Sequence, residues 1–267
     1  IMRLNSFQAK LYSSDGHPSI KVSGMYLLPA MMNHSCLRNA SRVFVGEAMV
    51  FYAARDIRIN EEITVEYCDG LLPLMMREAL LGSRFQCQCP RCEVERSVAP
   101  YLQEYSELFV ALYAEAYEEL RDMLTTGVRT SFSASERLAN AYEGVRKKTT
   151  TFNHLTKLQK QWILAGFSSA FLANWFRKGH STGFAQPSQF VTPVALELLD
   201  AMMVSVPGVE HTLTFAMMLS LVAQREDFQL SSQLFDKAKD ECVATYGKQR
   251  DDVITALAMR AAQRAPF

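Results

Sequence analysis

The stretch NHSCLRN, residues 33–39, lies between an apolar lead-in running from Tyr26 to Met32 and a strand-like run at Arg42-Val43-Phe44-Val45. An amide, an imidazole and a thiol side by side make poor core filling, because each carries hydrogen-bonding or ligand capacity that burial must satisfy. The stretch reads as a binding loop.

The thiol of that loop has company. Cys36, Cys68, Cys87, Cys89 and Cys92 crowd the first hundred residues, while Cys242 stands apart. Cys87, Cys89 and Cys92 form CQCPRC, a spacing too tight for independent disulfides but suited to convergence on one tetrahedral ion, for which zinc is the usual occupant. Three thiolates leave one position. Cys36 is the natural fourth ligand, and Cys68 satisfies the same arithmetic. A disulfide framework does not suit a long chain that is otherwise poor in cysteine.

Composition sets the class. The chain has 267 residues, 49% hydrophobic and 21% charged, which is globular composition with a sizeable core. Its 28 basic and 28 acidic residues cancel, so no global field draws it onto phosphate backbones or anionic bilayers. No direct nucleic-acid contact and no membrane contact are expected, since the apolar runs fall short of the roughly 20 residues that span a bilayer. The opening Ile1-Met2-Arg3 falls in mid-pattern, which predicts a longer polypeptide upstream.

Two halves are legible. Up to about Glu93, short strand-like runs alternate with Gly, Asn, Asp and Ser. VFVGEAMVFYAARDI (43–57) predicts a hairpin turning near Gly46-Glu47, and EEITVEY (61–67) predicts a further strand. After Val98 the apolar residues fall three and four apart, as in Leu102, Tyr105, Leu108, Phe109 and Leu112, which predicts about seven helices with short, antiparallel connections. A capping box at Ser133–Glu136, a Thr192-Pro193 start, and stops at Gly127, Gly179 and Gly247 punctuate them. Met202-Met203 and Met217-Met218 read as helix core.

Taken together, NHSCLRN, RDIRINEEITVEYCD (55–69) and FQCQCPRC (85–92) resemble, in order, the signature of SET-domain protein lysine methyltransferases. LNSF (4–7), SGMY (23–26) and the long helical half make the SET-and-MYND type the most similar. The resemblance implies an α+β chain. Its parts would be a β-rich C-terminal SET portion (1–82), a post-SET zinc segment (83–97) and an all-α, tetratricopeptide-like helical-hairpin domain (98–267). It places the family's cofactor turn and MYND module upstream, so that the piece alone would be weakly active or inactive.

The same resemblance implies transfer of a methyl group from S-adenosylmethionine to a protein lysine. Asn33 and His34 would hold the cofactor by hydrogen bonds, with Asn5 also reaching it. Phe85 would stack on the adenine, Tyr67 would orient the amine, and Cys36, Cys87, Cys89 and Cys92 would hold zinc. The implied partner is a lysine-bearing protein, histone or non-histone, with a peptide or tail on the helical domain. The implied location is cytoplasmic and/or nuclear. Glu61 and Glu62 read as solvated turn residues.

Three positions depart from the family pattern. Arg38 replaces a proline, which predicts a less rigid loop. Asn60 replaces a glycine, tolerable because Asn accepts left-handed backbone. Ser83 stands where an aromatic would narrow the lysine channel. Arg38 and Ser83 keep a second reading open, a SET-like scaffold without activity whose helical domain binds a peptide.

Overall fold

The computed structural model describes residues 6–12, 18–27, 29–45, 48–82, 85–126 and 133–247, together with residues 253 and 256. Asn5, Ser83, Gly127 and the Gly46-Glu47 turn lie outside the described residues.

Among the described residues the N-terminal part is three two-stranded ribbons. β1 (Ser6–Tyr12) and β2 (Pro18–Met25) pair antiparallel, as do β4 (Ala40–Val45) and β5 (Ala48–Ala53). The register Val45↔Ala48 agrees with the hairpin expected there. The run EEITVEY forms a much shorter strand than its alternation predicts: only Thr64–Val65 (β6) pairs, parallel to Asn33–His34 (β3). The Asn39 side chain takes the Glu62 carbonyl and the Thr64 amide at the start of this run, backbone groups that a longer ladder would use.

Eight helices follow among the described residues: α1 (Leu74–Leu81), α2 (Pro90–Thr126), α3 (Ser133–Thr150), α4 (Lys157–Ala165), α5 (Ser168–Thr182), α6 (Pro193–Ser205), α7 (Glu210–Ala223) and α8 (Phe228–Tyr246). Seven of them lie largely beyond Val98, as the periodicity predicts. α2 starts in the cysteine segment and runs unbroken for 37 residues into the helical half. α7 packs on α8, α2 on α3, α4 on α6 and α3 on α5, and α8 lies against β4 and β5. One apolar core fills the helical half, with Met202 and Met217 inside it; Leu71 and Leu72 of the β-rich part reach into the same core. No helix among the described residues is long and apolar enough to cross a membrane.

Local punctuation is partly as expected. Thr192 caps α6, its side chain accepting from the Ala195 amide with Pro193 in the first turn. Gly247, at φ 77°, ends α8. Gly179 does not end a helix: α5 continues to Thr182 and stops at left-handed Gly183. Gly179 instead makes room for the Phe184 ring, which a Cβ there would meet at 2.0 Å. The expected box at Ser133–Glu136 is also replaced. Glu119 on α2 accepts from the Ala134 and Ser135 amides, both at 3.0 Å, and Glu136 pairs with Arg177. A charged carboxylate from a neighbouring helix satisfies two orphan donors at once.

Candidate functional site

The site is built where β3 meets β6. The Ser35 amide donates to the Val65 carbonyl at 3.0 Å, which lays the NHSC stretch beside the segment that leads into Tyr67. The Tyr67 amide then donates to His34 Nδ1 at 3.0 Å. An acceptor at Nδ1 places the ring proton on Nε2, which lies 3.2 Å from Cys36 Sγ. Both ring nitrogens of His34 are thus occupied within the protein.

His34, Tyr67 and Phe85 form an aromatic triangle. Ring centroids lie 5.4 Å apart for His34 and Tyr67, 5.8 Å for His34 and Phe85, and 6.2 Å for Tyr67 and Phe85. The last pair meets edge to face, a favoured aromatic geometry. Tyr67 and Phe85 are 48% and 40% exposed, so the triangle offers an open apolar surface. The Tyr67 hydroxyl donates to the Met32 carbonyl at 2.5 Å, and partial burial pushes its pKa up, so it remains protonated.

Asn33 is exposed, and its amide donates to Glu62 Oε1 at 2.6 Å. Glu61 and Glu62 are therefore not idle turn residues. Glu61 accepts from Arg55, from the Arg58 amide and from Asn39, and those bonds, led by Arg55, hold its carboxyl at about 2. Asn39 is buried at the centre of this turn. Its side chain donates to Glu61 Oε1 and the Glu62 carbonyl and accepts from the Thr64 amide at 2.8 Å. Asn60 takes φ 67°, the left-handed backbone expected of it. The fastening role of Asn39 was missed in the sequence, although the residue sits within the NHSCLRN stretch and EE lies downstream.

Beneath the triangle, the Sγ atoms of Cys36, Cys87, Cys89 and Cys92 all lie within 4.8 Å of one another. Cys36 and Cys92 are 3.5 Å apart. Tetrahedral sulfur at about 2.3 Å from an ion sets its ligands about 3.8 Å apart, so the donor set fits a zinc-type ion. All six cysteines are free thiols, and Cys36, Cys87 and Cys92 are buried. Cys68 packs beside the group without joining the four. Hydrogen bonding to Cys36 leads in spreading their titrations: it lowers Cys89 and raises Cys92, and it raises Cys87 to about 12. The buried Arg77 donates to Cys92 Sγ at 3.4 Å and to the Leu72 carbonyl, and it pairs with Glu95, which Arg91 also grips. A guanidinium donating to sulfur suits a ligand held as thiolate.

Arg38 corrects an expectation. It is 4% exposed and firmly held: Nη2 donates to the Pro207 carbonyl at 3.0 Å and the Gly208 carbonyl at 2.8 Å, and Nη1 meets Glu66 at 3.2 Å. The loop is fastened rather than loosened, because a buried guanidinium is retained only where several acceptors converge on it.

Residues 5–68 match the SET domain family. The chain is 37% identical over 81 residues to histone-lysine N-methyltransferase SMYD3 of Homo sapiens, an overlap covering 30% of this chain and 19% of that protein. It is 36% identical over 105 residues to SET domain-containing protein SmydA-8, isoform A, of Drosophila melanogaster, covering 38% and 22%. With protein-lysine N-trimethyltransferase SMYD5 of Gallus gallus it shares 36% over 81 residues, covering 26% and 18%. The chain thus spans about a fifth of the length of the curated relatives it matches. The matched residues include the NHSC strand, its β6 partner and Cys36, so over residues 5–68 the chain is similar to SET domains and, among its relatives, to SMYD-type lysine methyltransferases.

Proposed function

We propose that this chain contributes the C-terminal SET portion and the helical domain of a protein-lysine N-methyltransferase that uses S-adenosylmethionine. The observation that carries the reading is the Tyr67 hydroxyl, fixed on the Met32 carbonyl at the open face of the His34–Phe85 aromatic surface.

The cofactor supplies an electrophilic methyl group on a sulfonium. Asn33 and the His34 backbone would hold it, Phe85 would offer a ring face to its adenine, and Asn5 is assigned to the same task by the resemblance. Tyr67, with one proton committed to Met32, keeps its oxygen free to accept from an incoming lysine amine and orient it. In-line displacement requires the reacting atoms held about 3 to 3.5 Å apart, and a rigid tyrosine serves that purpose. The aromatic surface lowers the amine's pKa by desolvation, so no separate general base is needed. Cys36, Cys87, Cys89 and Cys92 would hold one zinc that closes residues 85–92 over the loop. The paired helices of residues 98–267 are read as a tetratricopeptide-like array that captures a peptide or tail of a lysine-bearing protein, in the cytoplasm or nucleus.

The scaffold reading drew on Arg38 and Ser83; Arg38 is buried and paired, which removes its part of that support, and Ser83 lies outside the described residues. Isothermal titration of the full-length protein with S-adenosylmethionine, followed by methyl transfer to a lysine-bearing protein array, tests the proposal. Heat of binding with labelled lysine supports it; neither heat nor label returns the scaffold.

A further inference from the structure

We propose that Arg38 is a positioning residue through which the helical domain holds the cofactor loop, so that the turn between α6 and α7 is part of the methyl-transfer site's support. The inference rests on reading residues 33–39 and Tyr67 as that site.

One planar cation meets three separate parts of the molecule. Arg38 lies two residues beyond Cys36 in the loop. Its Nη1 pairs with Glu66, the residue before Tyr67, and its Nη2 donates to two consecutive carbonyls, Pro207 and Gly208, some 170 residues away. Ser41 adds a second bond from the β-rich part to the Gly208 carbonyl at 3.1 Å. A lysine ammonium could not serve a carboxylate and two carbonyls with the same fixed fork.

The receiving turn is itself immobilised from the far side. Glu241 on α8 accepts from the Val209 amide at 2.8 Å. Gly208 has φ 77°, and a Cβ on it would lie 2.7 Å from the Ala244 carbonyl oxygen and 3.2 Å from Ser41 Cβ. The two carbonyls therefore form a receptor whose position is set by α8, and the guanidinium transmits that position to the loop. Glu66 is partly buried against Arg38, so loss of the cation would remove its ion pair and loosen the segment that carries Tyr67.

The test uses the full-length, zinc-loaded protein with two variants that approach the contact from opposite sides. Arg38→Met keeps the apolar stem and removes the fork. Gly208→Ala disturbs the receptor without touching any residue near the cofactor. Amide hydrogen exchange over residues 33–39 and 64–68 should quicken about tenfold or more in both, while residues 157–205 exchange as before, because only a local opening is being released. The KM for S-adenosylmethionine should rise about tenfold and kcat should fall as well, because the cofactor loop and the Tyr67 segment lose one shared fastening. Unchanged exchange at 33–39 in Arg38→Met overturns the proposal. Should Arg38→Met not fold, exchange in Gly208→Ala decides: local quickening at 33–39 supports the tether, and its absence refutes it. A wild-type protein that binds no cofactor defeats the functional reading, and the exchange result still judges the tether independently.

Discussion

The Tyr67 amide donates to His34 Nδ1 over 3.0 Å, joining the end of the β6 segment to the NHSC strand across 33 residues. That bond fixes the imidazole's tautomer and aims its other nitrogen at Cys36, 3.2 Å away. Aromatic surface and sulfur cluster are therefore one mechanical unit, and changes on either side are expected to be felt on the other.

Tyr67→Phe keeps the ring and its amide bond while removing the hydroxyl. In the intact protein, turnover should fall on the order of a hundredfold, about 2.7 kcal/mol, as for loss of one preorganised polar contact in the transition state. Cofactor affinity should move far less. Turnover normalised to the folded fraction is the measurement, and an unaltered value would remove Tyr67 from the chemistry.

Cys36→Ser should release the metal. Elemental analysis is expected to find about one zinc per wild-type chain and a marked deficit in the variant. Cys68→Ser, altering the thiol that packs beside the four without joining them, should keep its zinc. Metal retained by the first variant and lost by the second would exchange the roles of the two cysteines.

Asn39→Ala removes a buried side chain that serves Glu61, the Glu62 carbonyl and the Thr64 amide. Each buried group left unpaired costs about 1 to 3 kcal/mol, so a loss of roughly 2 to 4 kcal/mol is expected. Chemical denaturation at neutral pH measures it. A loss below half a kcal/mol would show that water takes over these contacts.

Glu241 should make the protein less stable as pH rises from about 5 to neutrality. Burial pushes its carboxyl from 4.5 up to about 7, against the pull of the Val209 and Gly208 amides and of Arg38. A raised carboxyl favours the folded state in its protonated form. Its contribution is fully present below about pH 4.5 and lost as pH rises through about 7, amounting to at most about 3 kcal/mol. Glu66 is raised in the same direction by burial, so Glu241→Gln should reduce the slope of stability against pH between 5 and 7.5 rather than abolish it. Parallel slopes in wild type and variant would exclude Glu241 as a source.

Much of the molecule is written in short-range pattern. The CxCxxC spacing brings three sulfurs together because a few residues of chain suffice to close on one point, and the apolar three-and-four spacing after Val98 makes helices because one face must be buried. Thr192-Pro193, Gly247 and Asn60 behave as their own backbone preferences dictate. Other residues have meanings that depend on partners far away in the chain. Arg38 reads locally as a cation in place of a stiff proline, yet the Pro207 and Gly208 carbonyls make it a buried fastening. Gly179 reads as a helix stop, yet Phe184 folds back and needs the space. Glu119 caps a helix from another helix, and Glu61 is held by Arg55 and Asn39. Propensity and ligand spacing are local quantities that a sequence determines by itself. The partner of a buried charge, or the ring that fills a gap beside a glycine, exists only once distant segments have packed, and for this protein the tertiary structure alone decided it.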